Sequence, residues 1–365
     1  MCRLHTVVLL LSPLTLAVLT SSLAWAQLPS APTPQTQGAP AATGDGARDG
    51  SSENLARLRV MIDRGQTESA LKQLDSLATQ QPAPAGVNRL RGLALYSENQ
   101  FAEADTAFAS AVKQDPHDQE SVQLRGLTLF RLGKPADAIP LLESAHELTA
   151  QTRVDPNYVL ALCYIDTGQY DKARGAFGVQ YGFAADSAPA YLLAARMLLR
   201  RDYLPVAQQF AAKALELDPQ LPLAHALLGE IALAGEHLDV AIAEFEKERA
   251  RNPLDGSIYD RLGDAYSRTG DYTKALQSLQ RALLLEPNST GPYILLGKVL
   301  LKRQDPASAL MYLEHAEQMD SGNYITHSLL GQAYRSLGRA DDASREIQIS
   351  QKIQAASEPK LETVR

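Results

Sequence analysis

The chain has 365 residues, 45% of them apolar and 6% aromatic, and carries a net charge of −7. An acidic chain lacks the basic footprint that nonspecific nucleic-acid binding needs, and two cysteines cannot make a disulfide scaffold. A chain this long exceeds what one globular core usually serves, so several domains or a repeat array is expected.

The first 26 residues read as an address. Arg3 and His5 precede an apolar run from Thr6 to Leu19, broken only by Ser12, Pro13 and Thr15. Ala24 and Ala26 then supply the small-x-small site of a signal peptidase. Cleavage after Ala26 is expected, which makes the protein exported, either periplasmic or extracellular. The alternative is an uncleaved anchor, since Thr6 to Ala26 spans 21 residues. Pro13 and the cleavage site weigh against it. Cys2 precedes the run, whereas a lipoprotein cysteine would follow it. Loss of Arg3 with the leader takes the net charge from −7 to −8.

Residues 27–50 contain four prolines, four glycines and no aromatic. Such a segment cannot bury enough apolar surface to offset chain entropy, so a disordered linker is expected. No further apolar segment is long enough to span a bilayer, so no membrane span is expected in the mature chain.

From residue 51 the sequence repeats. Ala70, Ala104, Ala138, Ala173, Ala207, Ala241, Ala275, Ala309 and Ala343 are 34 residues apart, apart from one step of 35. Twelve residues before the alanine stands Gly92, Gly126, Gly229, Gly263, Gly297 or Gly331, replaced elsewhere by Leu58, Ala161 and Ala195. Twelve residues after it stands Pro82, Pro116, Pro219, Pro253 or Pro287. Between the first two markers lies a helix stop: Gly65, Gly133, Gly168, Gly270 and Gly338, with Asn99 in one unit. Each unit reads helix, tight turn, helix, turn. A glycine inside a helix costs ~1 kcal/mol relative to alanine, so its recurrence predicts a close approach between the glycine of one helix and the alanine of the next. The units are 51–84, 85–118, 119–153, 154–187, 188–221, 222–255, 256–289, 290–323 and 324–357, and residues 358–365 form a short tail.

The motif Tyr259, Leu262, Gly263, Tyr266, Ala275, Leu279, Ala282 and Pro287 resembles the tetratricopeptide repeat family. The resemblance implies an all-α right-handed superhelical solenoid of about nine helix-turn-helix units, with the first helix of each lining the concave side. There are departures. Arg57, Arg91 and Arg125 replace the leucine before the glycine, and their aliphatic stems can substitute for it. Unit 119–153 is one residue long, and its junction at HELTAQTRVDP is expected to bend the array. In unit 154–187, Gln180 and Ala185 stand at marker positions and weaken the evidence for a second helix. The polar helix that often caps such arrays is missing.

No catalytic constellation emerges, and no cofactor site or metal site is expected. The strings G-x-G-x-x-G, G-x-x-x-x-G-K-[ST], G-x-S-x-G and H-E-x-x-H are all missing. His146-Glu147 starts the last of these, but Ala150 replaces its second histidine. His225 and His327 share one repeat position and are read as packed interface side chains rather than ligands. Cys163 lies beside Tyr164 and is read as a small apolar residue, not a catalytic thiol. Asn288-Ser289-Thr290 matches a glycosylation acceptor, a pattern that often arises by chance.

The resemblance places repeat positions 2, 5, 6, 9, 12 and 13 on the concave groove. Candidate partner-binding residues are Tyr96, Phe130 and Tyr158 in the earlier units. In the later units they are Arg196, Arg200, Asp260, Arg261, Asp264, Arg268, Lys298, Lys302 and Arg335. Position 9 alternates Arg196, Glu230, Asp264 and Lys298, which could simply pair with one another at ~0–1 kcal/mol each. Position 13 runs Arg200, Ala234, Arg268, Lys302, with Arg335 nearby. This stripe is either an acidic-peptide or carboxylate contact or, the weightier reading, a solvated helix face. The asparagine clamp of chaperone-binding relatives is missing, because no position 9 is asparagine.

These features make the chain an expected protein–protein interaction scaffold, not an enzyme, that binds a peptide or protein in the groove. A structural subunit of an envelope assembly or polymer-export complex is the alternative. An enzyme with a groove site is the lesser one.

Overall fold

A computed structural model gives the fold and describes residues 46–80, 83–145 and 156–357. The leader 1–26, linker residues 27–45, the 146–155 junction and the tail 358–365 lie outside the described residues. The description that follows concerns the compact unit that begins at Gly50.

Among the described residues there are eighteen helices and no strand. In chain order they are α1 (Gly46–Asp63), α2 (Thr67–Ala78), α3 (Val87–Ser97), α4 (Phe101–Gln114), α5 (Gln119–Arg131) and α6 (Pro135–Ser144). Then come α7 (Pro156–Asp166), α8 (Tyr170–Tyr181), α9 (Ala188–Arg200), α10 (Leu204–Leu217), α11 (Ala224–Ala234) and α12 (Leu238–Arg251). The last are α13 (Gly256–Thr269), α14 (Tyr272–Leu285), α15 (Thr290–Lys302), α16 (Pro306–Met319), α17 (Tyr324–Ser336) and α18 (Ala340–Ser357). One boundary differs from expectation: α1 starts at Gly46, inside the segment read as linker. The second helix of unit 154–187 forms as α8, as the unit reading expects despite the odd markers, and Gly182 in the left-handed region ends it.

The turns follow from the backbone. In every unit one residue of the turn after the first helix has positive φ: Gly65, Asn99, Gly133, Gly168, Asp202, Glu236, Gly270, Gln304 and Gly338. The stop therefore recurs even where the sequence offers no glycine, because a two- to three-residue reversal leaves no other conformation. Side-chain caps open two of the next helices. Asp271 accepts the Lys274 amide at 3.1 Å, and Asp305 accepts that of Ser308 at 3.1 Å.

Each odd helix runs antiparallel to the even helix after it. A methyl added at Gly256 would meet Glu286, and one added at Gly263 would meet Leu279. Seven residues forward on α13 is thus seven back on the facing segment.

All nine marker alanines are buried, none more than 3% exposed. The glycines need a corrected explanation. The atoms against Gly92, Gly126, Gly229, Gly263, Gly297 and Gly331 belong chiefly to Phe108, Leu142, Phe245, Leu279, Leu313 and Ile347. Each is the large residue four positions beyond the alanine. A methyl on the glycine would lie 2.4–2.8 Å from that side chain. The glycine is a floor for a large side chain rather than one half of a small-on-small contact.

Layering decides where a partner could sit. Six of the eight pairs of consecutive odd helices touch (α3 with α5, α5 with α7, α9 with α11, α11 with α13, α13 with α15, α15 with α17), and among the described residues even helices make no comparable contact. Odd helices are therefore the closer-spaced, inner layer of the stack.

Candidate functional site

All twelve candidate groove residues lie on odd helices: Tyr96 on α3, Phe130 on α5, Tyr158 on α7, Arg196 and Arg200 on α9, four on α13, two on α15 and Arg335 on α17. The three aromatics, separated by more than 60 residues of chain, come together. With Leu127, Arg131, Val159 and Leu162 they line a cleft of about 130 Å³. Its walls are braced from behind. Tyr96 meets the Phe101 ring edge-on at 5.3 Å, and the Arg131 guanidinium lies 4.4 Å over that ring. Tyr158 packs on Phe177 at 5.9 Å and points its hydroxyl at Met197 Sδ, 3.8 Å away. Leu127 and Leu162 are position-9 residues and Arg131 is at position 13, so the repeat register contained them. They lie outside the basic stripe, which begins at unit 188–221.

The charged half divides into paired and unpaired cations. Glu230 takes Arg261 at 2.8 Å and Arg196 at 3.6 Å. Arg268 binds Glu236 and lies 3.9 Å from Asp264. Much of position 9 is thus self-satisfied, as the bland reading required. Arg200, Lys298, Lys302 and Arg335 have no ion-pair partner among the described residues. Asp260 stands apart. It is half-buried, its Oδ1 has no hydrogen-bond partner, and its Oδ2 faces Gly291 at the start of α15. Burial, followed by the nearby Asp264 and Glu286 charges and against the pull of Arg261, pushes its pKa up to about 6.

The remaining polar groups are mostly structural. Arg57 donates to Gln73 at 3.1 Å, while Arg91 and Arg125 pair with Asp75 at 2.6 Å and Asp105 at 2.9 Å. Each bridges neighbouring helices, so the head group finds a partner as well as the stem. Cys163 is fully buried, and burial pushes its thiol up to about 12. That keeps it protonated and unreactive. His225 Nδ1 lies 2.6 Å from Glu244, and His327 Nδ1 lies 2.7 Å from Glu346, across the same helix-pair interface in two units. No helix among the described residues is long and apolar enough to cross a membrane.

Comparison with known sequences agrees with the register. The tetratricopeptide repeat profile matches residues 256–289, the unit of the clearest motif, and a second one matches 55–119 and 294–348. The chain carries tetratricopeptide repeats. A third profile, anaphase-promoting complex, cyclosome, subunit 3, matches residues 97–180 of this repeat protein. Superkiller complex protein 3 of Mus musculus is 26% identical over 239 residues, covering 63% of this chain and 15% of that protein. Anaphase-promoting complex subunit 3 of Schizosaccharomyces pombe is 22% identical over 306 residues, covering 81% of this chain and 46% of that one. The tetratricopeptide chain thus spans less than half the length of either relative. Among solved structures, YrrB, described as a TPR protein with an unusual peptide-binding site, is 24% identical. It covers 51% of this chain and 95% of that one at a TM-score of 0.41.

Proposed function

We propose that the protein is an exported scaffold that holds a peptide or protein partner along the inner helix layer. An apolar side chain of the partner enters the Tyr96–Phe130–Tyr158 cleft, and its acidic groups face Arg200, Lys298, Lys302 and Arg335. The observation that carries this reading is the cleft: three successive first helices each turn an aromatic into one small apolar space. Aromatic-walled grooves on a rigid helical frame accept extended segments by shape and side-chain pocket. Unpaired cations on an acidic chain add a charge pattern that favours acidic partners. Export rests on the Thr6–Leu19 run and the Ala24–Ala26 site.

A photo-crosslinking residue at Tyr158 tests the reading in the native cell. A specific adduct from position 158, with none from the exposed Met311 on the outer helix α16, supports it. Equal labelling from both positions, or none from 158, removes it. Mass spectrometry of the isolated protein checks export, and a mature chain starting at Gln27 is expected.

The alternative is a permanent subunit of an envelope or polymer-export assembly. Relatives named as parts of the superkiller and anaphase-promoting complexes favour it. Stoichiometric co-purification would select the subunit reading, and weak exchanging partners would select the peptide binder.

A further inference from the structure

The two histidine–glutamate pairs occupy the same repeat positions 102 residues apart, yet their surroundings differ in charge. In the earlier pair, His225 Nδ1 faces Glu244 Oε2 at 2.6 Å, and the other Glu244 oxygen takes Lys247 Nζ at 2.6 Å. Three repeats on, Ile349 stands where Lys247 was, and Glu317 stands where Leu215 was. One cation has been replaced by a carboxylate. His327, Glu346 and Glu317 each offer a ligand atom, and these atoms lie within 4.8 Å of one another. His327 is 2% exposed.

The tautomer is fixed. His327 Nε2 lies 3.0 Å from the Ser321 carbonyl, which can only accept, so Nε2 carries hydrogen. The Nδ1 position then faces Glu346 Oε2 at 2.7 Å. Two lone pairs at that distance need a positive centre between them. A proton serves one histidine and one carboxylate, as in the earlier pair. It leaves the second carboxylate without a cation, and no lysine or arginine among the described residues pairs with Glu317 or Glu346. An imidazole whose far nitrogen donates to a backbone carbonyl, grouped with two carboxylates, is the usual second-shell and ligand arrangement of a divalent metal.

We infer that His327, Glu346 and Glu317 bind a divalent transition metal of the zinc type, joining α16, α17 and α18. The ion would take Nδ1 and one oxygen from each carboxylate, leaving a fourth position for water. Zn–N and Zn–O bonds of ~2.1 Å ask the His327–Glu346 pair to open to roughly 3.4 Å, within reach of side-chain rotation. The role is to clasp α17 and α18 to α16, holding the repeat of residues 324–357 against the one before it.

The test uses untagged full-length protein stripped with chelator, with zinc chloride as the probe. Equilibrium dialysis should give about one zinc per chain at pH 7.5, with hydrogen exchange slowed in α17 and α18 and the unfolding midpoint raised by ~2–4 °C. Glu317→Gln keeps the histidine–glutamate pair and so the fold, and it should weaken zinc binding at least tenfold. His225→Gln should bind zinc like the parent. Failure to bind zinc overturns the inference. So does undiminished binding by Glu317→Gln, which would leave a proton-bridged packing pair, or loss of binding in His225→Gln.

Discussion

Gly263 and Leu279 occupy one space. A methyl built on Gly263 would lie 2.5 Å from both Leu279 Cγ and Cδ2, in a helix pair where both residues are fully packed. Gly263→Ala should therefore destabilise the array by ~1–3 kcal/mol through overpacking. Leu279→Ala alone should cost ~2–5 kcal/mol through the cavity left behind. The double variant should cost less than the sum, by ~0.5 kcal/mol or more, since each change relieves the other. Unit 188–221 already carries that pair as Ala195 and Ala211, both fully buried. Urea denaturation of the four proteins closes the cycle, and strict additivity would refute a shared space.

Gln304 has φ +62° in the turn between α15 and α16, where five other units place glycine. A side chain in that region costs about 1–2 kcal/mol, part of which glycine gives back as unfolded-chain entropy. Gln304→Gly should stabilise the protein by ~0.5–1 kcal/mol. Asn99→Gly should gain less, because asparagine tolerates the left-handed region. Urea midpoints that fall in both variants would show that these turns are held by something other than backbone conformation.

The fold was legible in the sequence because its cause is periodic. Small residues recur at 34-residue steps wherever a partner helix must pass close, and the nine alanines are buried as the spacing required. What the glycine touches was not legible. Leu279, Phe108 and their equivalents were assigned to the second helix's apolar face, but spacing gives the face of a helix and not the depth to which a side chain reaches across it. The left-handed stops at Asp202, Glu236 and Gln304 were missed for a related reason: the turn imposes the conformation and the residue merely tolerates it. Tyr96, Phe130 and Tyr158 follow from the repeat register together with the resemblance, which implies that those positions line the inner helices. The pairing of Arg268 with Glu236 does not, because Glu236 belongs to the neighbouring unit's turn.

That pairing ranks the basic stripe. The Arg268 charge is already met by Glu236 and Asp264, whereas Lys298 and Lys302 have no ion-pair partner among the described residues. Reversal of both lysines to glutamate should lower affinity for an acidic partner by about tenfold at low salt, the sum of two exposed contacts of ~0–1 kcal/mol plus repulsion. The loss should shrink at high salt, where exposed charges are screened. Arg268→Glu should weaken binding less. Titration of the crosslinked partner's peptide at two ionic strengths measures all three, and a larger loss from Arg268 would invert the ranking.

Asp260 gives the protein a pH signature of its own. Its carboxyl is held at about 6 in the folded chain against an ordinary 3.8, by burial first and then by Asp264 and Glu286, with Arg261 opposing. Between those two pH values the folded protein binds more protons than the unfolded one, so this group makes stability fall as pH rises from about 4 to 6. Above pH 6 the full cost of the ionised, half-buried carboxylate is present; below about 4 it is gone. Asp260→Asn removes the charge and keeps the shape. It should raise stability by ~1–2 kcal/mol at pH 7, after allowing for solvent screening of a part-exposed group, and change little at pH 4. Urea unfolding of both proteins at the two pH values reads the difference. An equal gain at pH 4 and pH 7 would mean that the carboxylate's charge is not what costs stability there.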